Sequence, residues 1–284
     1  ASTFVKAKVQ LPSILSSNMV LQQHTNVKLW GKAQKNSPIT IKTSWDNKTY
    51  KTIADKQGKW LLNISTPVAG GPYEITFNDG ELLTLKNILI GEVWFCSGQS
   101  NMEMPMSGFD RQPTQGTNDV IAKAKASTPI RIYNTDSKDG KWIRQFSKTP
   151  EEDCKGEWLE NTPVNVSHTS ATAYFFAQYL QEVLEVPVGI IISSLGGSKV
   201  EAWMSREAIT PFKSIDLSIL NNNEPIKNIT ATPCVLYNSK IAPFTNFTIK
   251  GFLWYQGESN RDNVDLYKDL MELIKHSLMV GYLL

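Results

Sequence analysis

The stretch Gly91 to Met106, GEVWFCSGQSNMEMPM, constrains the fold of this 284-residue chain more than any other. Val93-Trp94-Phe95-Cys96 has the apolar character of a buried strand, Ser97-Gly98-Gln99-Ser100-Asn101 forms a tight turn, and Met102-Glu103-Met104 can open a helix. A strand that ends in such a turn and feeds a helix is a unit of an open α/β sheet. In that setting the residues just past the strand face the crevice where ligands bind, and the following helix aims its first N–H groups at developing negative charge. Ser100 is therefore the candidate nucleophile. A Gly-x-Ser turn taken alone is ordinary loop vocabulary, so the rest of the chain has to decide its meaning.

The pattern on the two sides of this stretch differs. Up to about Leu89, short β-like runs (Val27 to Trp30, Ile39 to Thr43, Trp60 to Ile64, Tyr73 to Phe77) alternate with breakers such as Gly31, Asn36 to Pro38, Asp55 to Gly58 and Gly70 to Pro72. That spacing predicts a small β-sandwich over 1–89, with Trp30, Trp45 and Trp60 more suited to a core than to sugar binding. Beyond it, strands at Val93 to Cys96, Ile130 to Tyr133, Gly189 to Ser193 and Ile249 to Tyr255 alternate with helical patterns over Ala173 to Leu184 and Asp262 to Ile274. In the second helix Leu266, Leu270, Leu273 and Ile274 share one face. This rhythm predicts an α/β doubly wound, flavodoxin-like parallel sheet over 90–284. Residues 107–129 and 136–165 are long insertions of the kind that is often functional.

Charge and composition narrow the partners. A net charge of +2 with no basic stripe argues against nucleic acid, and no apolar run approaches the roughly 20 residues that span a bilayer. The three cysteines and three histidines lack metal-ligand spacing, so neither a metal nor a cofactor is expected. Cys96 fits a buried strand; a Cys154–Cys234 bond is an open alternative. A chain that begins at Ala1 is compatible with a cleaved leader and with simple trimming, and N-x-S/T sites start at Asn47, Asn63, Asn165, Asn228 and Asn246. A secreted or periplasmic protein is expected.

Two further loops follow predicted strands: Ser194-Leu195-Gly196-Gly197-Ser198 leading into Glu201-Ala202-Trp203, and Gln256-Gly257-Glu258-Ser259-Asn260. Together with GQSN at 98–101, the GG turn with EAW and the WYQGESN string resemble the three blocks of the sialate O-acetylesterase family, a branch of the SGNH hydrolases. MVLQ, LWG, GKW and AGGPYEI in the first 89 residues resemble that family's N-terminal β domain. The resemblance implies an SGNH fold and hydrolysis of acetyl esters on sugars, with an O-acetylated sugar or glycan, sialic acid by the family's name, as substrate. It implies Ser100 as nucleophile. Ester hydrolysis needs oxyanion donors, and the Ser100 N–H, the Gly197 N–H (Gly196 is the neighbouring alternative) and the Gln256 amide are the candidates for them. Gln99, Asn101, Gly196, Glu258 and Asn260 bind substrate or orient loops, Glu258 being favoured as an orienting group. An acetylxylan-type esterase and a catalytically impaired glycan-binding protein stay open as alternatives. The family's base lies in an Asp-x-x-His block that this chain lacks, and none of His24, His168 and His276 matches it. After Ile274 the family pattern is lost, which leads to the expectation of a chain truncated at its C-terminus, with an exposed sheet edge.

Overall fold

A single long strand joins the two sequence patterns. The computed structural model describes residues 9–138 and 141–282. Its first strands are β1 (Val20–Gln22), β2 (Asn26–Lys32), β3 (Pro38–Thr43), β4 (Thr49–Ile53), β5 (Lys59–Ser65) and β6 (Gly70–Asn78), followed by the 17-residue β7 (Leu82–Gly98). Then come α1 (Ser100–Glu103), α2 (Thr117–Lys123), β8 (Ile130–Asn134), β9 (Ser137–Lys138), β10 (Lys141–Trp142), β11 (Trp158–Glu160), α3 (Pro163–Ser167) and α4 (Ala171–Leu184). β12 (Val188–Ser194), α5 (Arg206–Ile209), α6 (Val235–Lys240), β13 (Gly251–Tyr255) and α7 (Val264–Tyr282) complete the order.

The first half of β7 pairs antiparallel with β6, which continues through β3 to β4. Its second half lies between β12 and β13, parallel to both. Burial changes accordingly: residues 82–87 are mixed, whereas Ile88 to Gly98 are buried except Trp94. A strand covered on one face alternates, and a strand covered on both does not. Residue 89 thus falls inside a strand and not in a linker. The separate β2–β5 pair sets Val27, Leu29, Trp60 and Ile64 in the same core as Ile39, Ile41, Ile75 and Phe77, with the Trp60 and Phe77 rings 5.9 Å apart.

Past residue 90 the sheet runs β11–β8–β12–β7–β13, parallel apart from the antiparallel edge β11. The strand bearing Ser100 is flanked by the two strands that carry the other blocks. Numbered in chain order from β7, the parallel strands β8, β12, β7 and β13 stand 2-3-1-4, which departs from the 2-1-3 order of the flavodoxin-like sheet expected from the sequence. The strand expected at Ile130 to Tyr133 forms, but as the outer neighbour of β12. Successive residues feed opposite faces: Cys96, Ile190 and Ile192 pack with Ala173, Tyr174 and Ala177 of α4, while Phe95 and Ile191 share a core with Leu270 and Ile274 of α7. Helices on both sheet faces give the mixed α/β architecture expected. Cys96, Cys154 and Cys234 are all buried free thiols, so the Cys154–Cys234 alternative is excluded. Burial pushes the Cys154 and Cys234 thiols up to about 11.

Candidate active site

The C-terminal ends of β7, β12 and β13 lie level: Ser97 is opposite both Ser193 and Trp254, and Gly98 opposite both Ser194 and Tyr255. Gly98 makes the turn possible. Its φ is +146°, and a Cβ there would stand 2.1 Å from the Tyr255 carbonyl oxygen, so only glycine allows the two backbones to approach. The Gln99 N–H then donates to the Tyr255 carbonyl (2.9 Å) and the Leu195 N–H to that of Gly98 (3.1 Å). α1 begins at Ser100 itself, two residues earlier than the sequence pattern predicts.

The polar residues of the three blocks bind one another. Gln99 Oε1 accepts from the N–H groups of Gly257 (3.2 Å) and Ser259 (3.3 Å), and Asn101 Nδ2 donates to Glu258 Oε1 (2.7 Å). Asn260 Oδ1 accepts from the Val200 N–H (2.9 Å) and Gln256 Nε2 (2.7 Å), while its Nδ2 donates to Glu201 Oε2 (2.8 Å). Gln256 Nε2 also donates to the Ser198 carbonyl (3.1 Å), and Tyr267 of α7 donates to the Gln256 carbonyl (2.7 Å). Both Gln256 amide protons therefore already have acceptors inside the protein. Its Oε1 is buried with no partner among the described residues. Trp203 is a wall residue, 1% exposed, with its indole N–H on Ser198 Oγ (2.8 Å) and its ring edge-on to Trp254.

At the GG turn the two glycines separate by role. The Gly196 N–H donates to Glu103 Oε2 at 2.6 Å, and a Cβ on Gly196 would lie 3.7 Å from Ser100 Cβ, so the space a side chain would fill here is bounded by Ser100. Gly197 is exposed, with φ +71°. Among the described residues neither the Gly197 N–H nor the Ser100 N–H donates to a protein acceptor.

Four residues around the site were not singled out from the sequence. Glu103 is buried and also accepts from Arg144 Nη1 (2.6 Å). Below the turn, Asp136 and Lys240 form a buried ion pair (2.7 Å), and Asp136 also accepts from the Ser194 N–H and Oγ–H. The spacing of Ser100 and Glu103 on one helical turn is a signal that was available; nothing in the sequence links Asp136 to Lys240, 104 residues apart.

Neither His24 nor His168 hydrogen-bonds Ser100; both are exposed. The His276 side chain lies outside the described residues. Among those described, no group of three or more His, Cys, Asp or Glu side chains could hold a metal ion, and no helix is long and apolar enough to cross a membrane.

Known proteins resemble this chain. A carbohydrate acetylesterase from Xanthomonas citri superposes with a TM-score of 0.81 at 29% identity, over 96% of this chain and 57% of that one. Sialate O-acetylesterases of Homo sapiens and Mus musculus are each 28% identical over 90% of this chain. The chain spans about half the length of these curated relatives, 50% and 53% respectively. With residues 90–279 matching the family model for "carbohydrate esterase, sialic acid-specific acetylesterase", the chain belongs to that family of carboxylic ester hydrolases.

Proposed function

We propose that this chain is a carbohydrate O-acetylesterase that removes acetyl groups from sugar hydroxyls, sialic acid foremost, through Ser100. The observation that supports the reading is that Ser100 and the GG turn, tied together through the Gly196 N–H on Glu103 of the same α1, carry two backbone donors without a protein acceptor among the described residues, the N–H of Ser100 and that of Gly197. Ser100 Oγ attacks the acetyl carbonyl, and the carbonyl oxygen becomes an oxyanion held by these donors. Collapse expels the sugar hydroxyl, and water then releases acetate from the acyl-serine. Gln256 joins as a third donor by turning away from the Ser198 carbonyl, the longer of its two bonds. Each such donor contributes about 3 kcal/mol to the barrier. Gln99, Asn101, Gly196, Glu258 and Asn260 orient the loops. The general base is assigned to none of the described histidines.

In this reading residues 1–89 form a β-sandwich module and 90–284 the hydrolase part, joined through β7. Location outside the cytoplasm belongs to the same proposal. Asn47, Asn63 and Asn228 are exposed, whereas the Asn165 amide donates to the Glu160 carbonyl (2.8 Å), so glycans would attach at the first three before the fourth.

Acetate release from O-acetylated sialoglycan, acetylxylan and p-nitrophenyl acetate tests the function. Ser100→Ala is expected to abolish release, with sialoglycan preferred over acetylxylan; release that survives the substitution refutes it. A second reading, a glycan-binding protein with an impaired site, is favoured by the lack of a described histidine on Ser100. Glycan-array binding by Ser100→Ala protein, with no Ser100-dependent hydrolysis by the unsubstituted chain, would support it instead.

A further inference from the structure

Glu103 is the group on which the nucleophile helix, the GG turn and the 136–165 insertion converge. Its side chain is 4% exposed, and its two carboxylate oxygens are divided between two partners: Oε2 takes the Gly196 N–H and Oε1 takes Arg144 Nη1, each at 2.6 Å. The residue sits three positions after Ser100 on α1. Its backbone N–H donates to the Gln99 carbonyl (2.9 Å), which fixes the carboxylate to the same turn that presents the serine. Gly196 answers with shape: a methyl group there would lie 2.5 Å from Glu103 Oε2, so the absence of a side chain is what lets the carboxylate reach the amide. Arg144 brings the charge that a buried carboxylate needs, and its own side chain remains 40% exposed with the guanidinium 5.1 Å from the Trp142 ring centroid.

We infer that Glu103, with Arg144 as its counter-ion, is a positioning residue that clamps the GG turn to the nucleophile helix and so sets the Gly197 N–H in place. It engages the Gly196 N–H, while the neighbouring Gly197 N–H, at φ +71°, has no protein acceptor among the described residues. It acts through the loop and not on substrate. The 136–165 insertion thereby gains a purpose: it delivers the cation that pairs with the buried carboxylate.

The consequence for catalysis rests on the esterase reading; the clamp itself does not. Two measurements on the intact 284-residue chain keep them apart: hydrogen exchange at the Gly196 amide, and kcat and KM for p-nitrophenyl acetate. A hydrogen bond to a charged acceptor predicts that Glu103→Leu speeds Gly196 exchange on the order of 30-fold, with exchange in α4 unchanged. kcat should fall by about the same factor while KM stays within about twofold, the mark of an interaction made in the transition state. Glu103→Gln keeps an oxygen acceptor and should restore both to within about fivefold. Arg144→Met, at a half-exposed position where folding is not at stake, should fall between them. Unchanged Gly196 exchange in Glu103→Leu overturns the clamp whether or not ester is hydrolysed. Faster exchange with unchanged kcat overturns the positioning role. Should the unsubstituted chain show no Ser100-dependent turnover, the esterase reading fails and the exchange result alone decides the clamp.

Discussion

Replacing Asp136 and replacing Lys240 should have unequal effects, although the two form one buried ion pair with side chains 3% and 2% exposed. Asp136 has partners to spare. Without Lys240 its carboxylate still accepts from the Ser194 N–H at 2.8 Å, the Ser194 hydroxyl and the Thr135 hydroxyl at 3.0 Å. Among the described residues Lys240 has the Thr135 hydroxyl at 3.1 Å as its one partner besides Asp136. Breaking a buried pair typically costs about 3–5 kcal/mol because a charge is left uncompensated. Asp136→Leu strands an ammonium and also orphans two Ser194 donors, at about 1–3 kcal/mol each if fully unsatisfied, so it belongs at or above the top of that range. Lys240→Met leaves a carboxylate with three donors and belongs near the bottom, about 3 kcal/mol. At about 2–4 °C per kcal/mol for a chain of this size, Asp136→Leu should lower Tm by more than about 10 °C and Lys240→Met by roughly half as much. The sharper test is the double variant. Adding Lys240→Met to Asp136→Leu removes the stranded charge, so the double variant should be more stable than Asp136→Leu alone in urea unfolding and thermal melts. A double variant less stable than Asp136→Leu, or single variants of equal effect, would refute the reasoning.

The glycines of the site give opposite expectations by mechanism. Gly98→Ala drives a Cβ into the Tyr255 carbonyl, where no flexible side chain can yield, and should cost more than about 3 kcal/mol in a melt. Gly197→Ala meets open space and bears only the strain of φ +71°, about 1–2 kcal/mol, with the fold intact by circular dichroism. For the thiols, burial holds Cys154 and Cys234 protonated up to about pH 11 and raises Cys96 as well. An aromatic disulfide reagent at pH 8 should titrate none in the native chain and all three after unfolding; rapid native labelling of any of them would contradict the buried placement.

Much of the hydrolase half was legible because its elements obey strong periodic rules. GIIIS could be a parallel strand because β12 is buried along its whole length, and Leu270 and Ile274 marked the core face of α7. β4 was not legible: Thr49–Ile53 is a polar strand, exposed to half-buried, whose partner β3 alone defines it. Nor was the unity of β7, since nothing in LLTLKNILIGEVWFCSG announces that one strand serves two surroundings. In the site, the nucleophile turn and the two partner loops came from local strings. Arg144, Asp136 and Lys240 did not, because long-range pairs of charges leave no local trace and are specified only when the topology brings them together; Glu103 left only its spacing from Ser100 on one helical turn.

The polar content of the three blocks therefore has a different meaning from the one a linear string suggests. Gln99, Asn101, Gln256, Glu258 and Asn260 look like a palette for contacting a sugar. In the fold they tie strand ends together across sequence separations of more than 150 residues in three cases, Asn101 to Glu258, Gln99 to Gly257 and Gln99 to Ser259. Asn260 joins the third block to the Glu201-Ala202-Trp203 turn through both of its amide atoms. Loops held this way need little reorganisation when charge develops, which is the condition under which backbone donors stabilise an oxyanion well. Among the described residues the N–H groups of Ser100 and Gly197 have no protein acceptor, so both stay available as the donors that the proposed chemistry calls for. If the proposed esterase function holds, it depends on the wiring as much as on the serine. A change at Asn260, which touches neither Ser100 nor Gly197, should slow the reaction by loosening two blocks at once.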